Sequence, residues 1–235
     1  MARARWLFMG LALALVAGPA QARYVSPQNV KFQGVSPWGF SQTGYGVYIG
    51  PYGLQLMGEP GQPTIDAFCV DFENYAYTGS SGWTANINNL GSGTMSQTRQ
   101  WATYGNATVV QARYQAAAYL VSKMNPGNAA DWWKYHGAAW YVMSGPTFTS
   151  TDKFYSPFMN TLSAAQRAEV LALVNDALNT GYATVNAADW AVITPSGVPN
   201  SQEFITSAVP EPETILLLAS GLLALGLVAY VRSVA

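Results

Sequence analysis

The stretch TIDAFCVDFENYAY, residues 64–77, carries the clearest strand pattern in the chain. Successive side chains of a β-strand point to opposite faces. Apolar side chains therefore share one face at positions 68, 70 and 72, while Cys69 shares the other face with the carboxylates of Asp71 and Glu73. We predict a strand over Thr64–Tyr77 that presents the one cysteine of the chain beside two acids.

Shorter strand signals lie on both sides of this stretch. Alternating apolar residues and a Gly-Pro turn predict two strands over Tyr45–Met57. The Gly-, Ser- and Asn-rich segment Thr78–Thr98 is typical of a loop, with Trp83 as its large anchor. Three further short strands are predicted, at Val30–Phe32, Trp190–Thr194 and Glu203–Thr206.

The middle of the chain has helical periodicity. Apolar residues at helical spacing predict three helices, over 108–124, 131–143 and 163–180. Capping boxes open the first and the third of them, at Thr108 with Gln111 and at Ser163 with Gln166. Strands first, helices in the middle and strands last predict one α+β domain with a β-rich first half, three helices and short terminal strands.

Composition narrows the function classes. Charged residues make up 10% of the chain and the net charge is −1, so the basic footprint of a nucleic-acid-binding protein is missing. The acids Asp66, Asp71 and Glu73 fall on both faces of a strand, so no metal site is predicted. No phosphate-binding loop or cofactor motif is found either, and no cofactor is expected.

The amino terminus has the pattern of a secretory signal peptide. Arg3 and Arg5 precede an apolar run, and the small residues Ala20 and Ala22 flank Gln21 as a cleavage site would. We predict a removed signal over residues 1–22. The exported domain then spans residues 23–208, a length typical of one domain.

The carboxyl terminus combines a proline-rich motif, an apolar run and a basic end. Val209, Pro210, Glu211 and Pro212, followed by Glu213, precede an uncharged run of 17 residues, Ile215–Val231. That length predicts a short transmembrane helix over 214–231, and Arg232 in the basic end 232–235 would stay in the cytoplasm.

This order of motif, span and basic end closely resembles the PEP-CTERM sorting signal of substrates of the membrane enzyme exosortase. The resemblance covers residues 209–235 and implies exosortase and the membrane as partners. It implies a precursor anchored in the inner membrane and facing the periplasm, and then a product at the cell surface or outside the cell. A role in exopolysaccharide or biofilm is implied at the level of the family.

A second resemblance concerns Cys69. The segment Phe68-Cys69-Val70-Asp71, followed by an alanine-rich aromatic helix, resembles the thioester domains of bacterial surface proteins. It implies a bond from Cys69 to a glutamine in a Gln-x-Ala-x-Trp-like helix, which would capture amines on neighbouring surfaces. Gln115 offers the amide, whereas His136 stands in the glutamine position of the other matching segment, and imidazole cannot form a thioester.

Two other interpretations of Cys69 stay open at this stage. Cys69 with His136, the only histidine, could form a hydrolase dyad, although nearby acids would suppress the thiolate. The plainer interpretation is an inert buried thiol and a packed core histidine. The tryptophan pair Trp132-Trp133 could stack on sugar rings. We therefore expect an exported, non-enzymatic surface or matrix protein with a binding or structural role, whose partner would be a polysaccharide or a neighbouring surface. A thioester adhesin using Cys69 and Gln115 is the alternative, followed by a cysteine hydrolase using Cys69 and His136.

Overall fold

A computed structural model describes residues 24–35, 47–72, 74, 82–92, 94–124, 126–144, 158–198, 201–208, 221–222 and 225–226. Contacts divide the chain into two units, Arg23–Ala208 and a second unit made of Met1–Ala22 with Val209–Ala235. The first unit holds every strand and helix discussed below.

Six strands of the first unit close into an antiparallel barrel in the order β1-β2-β3-β6-β5-β4. Closure removes the unpaired sheet edges that an open sheet would expose. The strands are β1 (Gln28–Val35), β2 (Tyr52–Leu56), β3 (Thr64–Cys69), β4 (Trp83–Asn89), β5 (Trp190–Pro195) and β6 (Phe204–Ser207).

The barrel wall separates two apolar cores. Alternate residues of each strand fill the interior, so that Cys69 and Phe204 face inward, whereas Val192 and Ile205 face outward. The outward residues pack against the helices, in a second core that includes Trp132 and Trp140. Fully burying an aliphatic side chain such as that of Val192 or Ile205 stabilises the fold by roughly 1.5–3 kcal/mol.

Over the residues that the structure describes, four α-helices form the layer outside the wall: α1 (Arg99–Tyr104), α2 (Ala107–Ser122), α3 (Trp132–Met143) and α4 (Ala164–Asn179). The capping box predicted at Ser163 and Gln166 is confirmed, since each side chain bonds the other residue's backbone. The first predicted cap is wrong by two residues. Asn106 caps α2, because its side chain accepts from the N–H groups of Thr108 and Val109.

The predicted fold class is wrong. The strands at the two ends of the domain belong to one closed barrel. The segment predicted as a loop around Trp83 contains β4, which pairs with β1 on one side and with β5 on the other. Trp83, Ala85 and Ile87 point inward along β4 while polar residues alternate with them. The strand predicted over Thr64–Tyr77 ends at Cys69, so Asp71 lies beyond the strand. Two strands were predicted over Tyr45–Met57, but the described part of that segment contains one strand, β2.

The predicted fold class included a C-terminal transmembrane helix over residues 214–231, and the structure does not support it either. Among the described residues, none of the helices combines the length and the apolar character that crossing a bilayer requires. Only residues 221–222 and 225–226 of the predicted span 214–231 are described. The signal peptide, with Ala20 and Ala22, the sorting motif Val209–Glu213 and the basic end 232–235 lie outside the described residues.

Candidate functional site

The end of β3 is the point where the barrel and the helical layer are joined. The carbonyl of Cys69 accepts two hydrogen bonds from α3, from His136 Nε2 at 2.8 Å and from Trp140 Nε1 at 2.9 Å. His136 and Trp140 are four residues apart, hence on one helix face, and their rings stack with centroids 4.2 Å apart.

The tautomer of His136 follows from its partners. The Gly50 N–H donates to Nδ1 at 3.2 Å, so Nδ1 is the acceptor and Nε2 carries the proton that it donates to Cys69. Burial lowers the pKa of His136 from 6.5 to about 4, although the bond to the Cys69 carbonyl works in the opposite direction. The imidazole is therefore neutral at physiological pH, and both of its nitrogens are used by the main chain.

The thiol of Cys69 lies in the barrel interior and is 1% exposed. Its Sγ donates to the carbonyl of Asp71 at 3.3 Å. Burial, followed by the negative charge of Asp71, raises the pKa of the Cys69 thiol. A protonated thiol that is bonded to a main-chain carbonyl is a poor nucleophile.

The hydrolase pair is brought together, but with the wrong atoms facing each other. His136 contacts the Cys69 carbonyl oxygen, whereas a catalytic base must reach the thiol. Both imidazole nitrogens already have main-chain partners. This arrangement suits a packed core histidine better than a catalytic base.

Gln115, the proposed thioester partner, has its side chain in a different environment from Cys69. Its amide donates to the Val185 carbonyl at 3.0 Å, and Gln111, one turn earlier on α2, donates to the Leu90 carbonyl. This face of α2 thus contacts the residue that follows β4 and the segment that leads into β5. Among the described residues, no hydrogen bond joins Gln115 to Cys69, and the thioester stays a prediction.

A buried carboxylate that sequence reasoning missed lies just before β6. Glu203 is 1% exposed and accepts hydrogen bonds from the hydroxyls of Tyr114 and Thr194, each at 2.6 Å, and from the Arg99 N–H at 3.1 Å. Burial raises the pKa of Glu203, and these hydrogen bonds lower it in part. A carboxylate in a dry site needs such donors.

An ion pair continues this network to the surface. The Arg99 guanidinium bonds the carboxylate of Asp71 and the carbonyl of Ser201. The Asn74 amide donates to both oxygens of Asp71, at 2.9 and 2.8 Å. The ion pair is only partly exposed, at 24% for Arg99 and 11% for Asp71.

These groups line an open cleft of about 220 Å³, which we call the polar cleft. The amide of Gln100 donates to the Met143 carbonyl, but its Oε1 is buried and is one of the few such atoms without a hydrogen-bond partner among the described residues. The lining residues are Val70, Asp71, Phe72, Asn74, Arg99, Gln100, Thr103, Met143, Ser144 and Glu203.

Asp71 was expected on the strand face of Cys69, but the other members of the polar cleft were not predicted. Arg99 and Gln100 open a helix that follows a segment predicted as loop, and Glu203 was assigned to a strand end. The sequence held no signal for this network, because a glutamate beside a strand is ordinarily exposed and the partners of Glu203 come from other segments of the chain.

Comparison with known proteins gives little further guidance. No protein-family model matches the chain, and none of the curated proteins matches it. Among solved structures, the chain is similar to the N-terminal domain of the Streptococcus pyogenes pilus tip adhesin Cpa. The TM-score is 0.45 at 11% identity, over 80% of this chain and 99% of that one. Likeness at this level assigns neither fold nor function.

Proposed function

We propose that this chain is an exported surface or extracellular-matrix protein whose domain at residues 23–208 binds a polysaccharide or a neighbouring surface and catalyses no reaction. The observation that carries the proposal is the polar cleft, whose lining combines Gln100, with its buried and unpartnered Oε1, and the acids Asp71 and Glu203. A ligand that supplies hydrogen-bond donors would satisfy that acceptor.

The chemistry of the lining fits a hydroxyl-rich ligand. A sugar hydroxyl both donates and accepts, and the lining of the polar cleft combines the unpartnered acceptor Gln100 Oε1 with Asp71, Arg99 and Asn74, polar side chains that already bond one another. Phe72 and Met143 add apolar surface on which the less polar face of a sugar ring could rest. A few fixed polar groups within an apolar wall are typical of small-ligand sites.

A binding role also agrees with the state of Cys69. Its thiol is protonated, buried and bonded to the Asp71 carbonyl, while His136 is committed to the main chain. The hydrogen bond from the Cys69 thiol to the Asp71 carbonyl helps to hold Asp71, which lines the polar cleft, in place. We infer that these groups support a binding site and do not form a reaction centre.

Export and sorting complete the proposal. The signal peptide would direct the chain out of the cytoplasm, and exosortase would cut it on the periplasmic side at Val209, Pro210, Glu211 and Pro212. The product would be released to the cell surface or the extracellular matrix, where a biofilm polysaccharide would be the available ligand. Replacing Glu211 by Ala should then block processing, so that intact mass shows the uncut chain.

The binding proposal is tested by blocking the polar cleft from its rim. Thr103 is exposed on α1 and lines the cleft, whereas its neighbour Ala102 is exposed and lies outside the lining. We expect Thr103→Trp to abolish binding to purified bacterial exopolysaccharides in a glycan-array or sedimentation assay, and Ala102→Trp to leave it intact. Equal binding by the two variants would refute the polar cleft as the site.

A further inference from the structure

The hydrogen-bond donors that line the polar cleft are directed at oxygen atoms of the protein itself. The Arg99 guanidinium bonds the Asp71 carboxylate, and the Asn74 amide donates to both oxygens of the same carboxylate. The Gln100 amide donates to the Met143 carbonyl. A ligand that approaches these side chains with an acceptor therefore has to compete with a bond that already exists.

The unmet demand in the lining is for a donor. Gln100 Oε1 is buried and has no hydrogen-bond partner among the described residues. The Ser144 hydroxyl donates to the Trp140 carbonyl at 2.7 Å, which leaves the lone pairs of its oxygen as its remaining capacity. The two acids of the lining, Asp71 and Glu203, only accept when ionised. The lining thus favours a ligand that is rich in O–H or N–H groups.

The charge of the lining leads to the same conclusion. Arg99 is the one cation among the lining residues, and it is paired with Asp71. Arg113, which lies outside the lining, donates to the Val142 carbonyl and lies over the Tyr104 ring at 4.3 Å. An anion that entered the polar cleft would have to displace Asp71 from a partly buried ion pair, and a carboxylate that loses its partner in such a site is costly.

We infer that the polar cleft selects sugar units without charge and discriminates against those that carry a carboxylate or a sulfate. The inference rests on the proposed function, in which this cleft binds a polysaccharide. A neutral sugar brings several hydroxyl donors, whereas an acidic group brings only acceptors and a charge that Asp71 and Glu203 repel. The cleft measures about 220 Å³, below the roughly 300–1,000 Å³ of drug-sized pockets. It therefore has room for about one sugar unit, and the charge of that unit determines selection.

Matched glycans test the selection. Fragments of alginate and of polygalacturonate are titrated into the full-length protein by isothermal calorimetry, alongside the same fragments after reduction of their uronate carboxylates to primary alcohols. The reduction removes the charges and turns each carboxylate into a hydroxyl donor. We expect the reduced fragments to bind at least about tenfold more tightly, with an affinity that changes little from about 0.05 to about 0.5 M NaCl.

A lysine at the rim should reverse part of the selection. Thr103→Lys places an ammonium at an exposed lining position, whereas Ala102→Lys adds the same charge at the exposed neighbour outside the lining. We expect Thr103→Lys to strengthen binding of the acidic fragments about three- to tenfold relative to the reduced ones, and Ala102→Lys to leave that ratio unchanged. An equal effect of the two lysines would overturn the inference, because the discrimination would then come from the charge of the whole protein.

The outcomes separate this inference from the proposed function on which it rests. Acidic fragments that bind as tightly as their reduced counterparts, with binding lost in Thr103→Trp, would refute the selection of neutral sugars and leave the polar cleft as a polysaccharide site. If neither member of any pair binds, and Thr103→Trp changes nothing in the exopolysaccharide assay, the inference and the proposed function fail together.

Discussion

Acidification should destabilise the domain through His136, and the size of the effect follows from its surroundings. The imidazole is fully buried, and its pKa falls from 6.5 to about 4 on folding. Between these values the unfolded chain binds more protons than the native protein, so stability is complete above pH 6.5 and is lost as pH falls toward 4. The shift corresponds to about 2.5 kcal/mol of lost stability at pH 4.5 and about 3 kcal/mol at lower pH.

Other groups titrate in the same range and must be separated from His136. The raised pKa of Glu203 has the opposite sign, because a carboxyl that is protonated more readily in the native state gains stability as pH falls. Urea denaturation of the wild type and of His136→Gln at pH 7.0, 6.0, 5.0 and 4.5 isolates the histidine, since the two proteins share every other group.

The stability difference between wild type and His136→Gln should shrink by about 2.5 kcal/mol from pH 7 to pH 4.5. The single histidine also gives one set of imidazole resonances, so NMR titration reads its native pKa directly. A pKa near 6.5, or a stability difference that stays constant with pH, would refute the buried neutral imidazole.

Three further expectations follow from single contacts. Tyr114→Phe removes a hydroxyl that donates to a buried carboxylate at 2.6 Å, so the free energy of unfolding should drop by about 1.5–3 kcal/mol, while Tyr48→Phe at an exposed position should change it little. Gly137→Ala would place a Cβ 2.4 Å from the buried Phe158 ring, so denaturant titration should show a loss of about 1–3 kcal/mol despite the better helix propensity of alanine. Native Cys69 should resist Ellman's reagent and show the intact mass of a free thiol; a mass lower by one ammonia, with gain of mass on adding methylamine, would instead establish a thioester.

Much of the helical layer could be predicted because its signals are local. The capping box at Ser163 and the apolar spacing of 163–180 gave α4 within about one residue, and the periodicity of 131–143 gave α3. These features depend on residues three and four apart. The N-cap of α2 was placed late because Thr108 also fits the box pattern, whereas Asn106 makes the bonds.

The barrel could not be predicted because its closure depends on one strand with a misleading composition. In β4 the inward positions are Trp83, Ala85 and Ile87, but the intervening Thr and Asn residues made the segment look like a loop. Its ladder partners in β1 and β5 are far away in sequence. Pairing at that distance leaves no local pattern.

Of the candidate site, only the proximity of Cys69 and His136 could be anticipated from the sequence. In the structure His136 contacts the Cys69 carbonyl and not the thiol, so this contact stabilises the fold. The polar cleft joins residues from a strand end, the start of α1 and the segment before β6, which the fold alone brings together.

The most direct test of the central claim is an NMR titration of the protein with oligosaccharides from bacterial exopolysaccharides. The side-chain amides of Gln100 and Asn74 and the backbone amides of Asp71 and Thr103 report on the polar cleft. If the cleft is the binding site, these resonances shift together and saturate together. If they stay unmoved while the ligand saturates resonances elsewhere on the domain, the claim is contradicted.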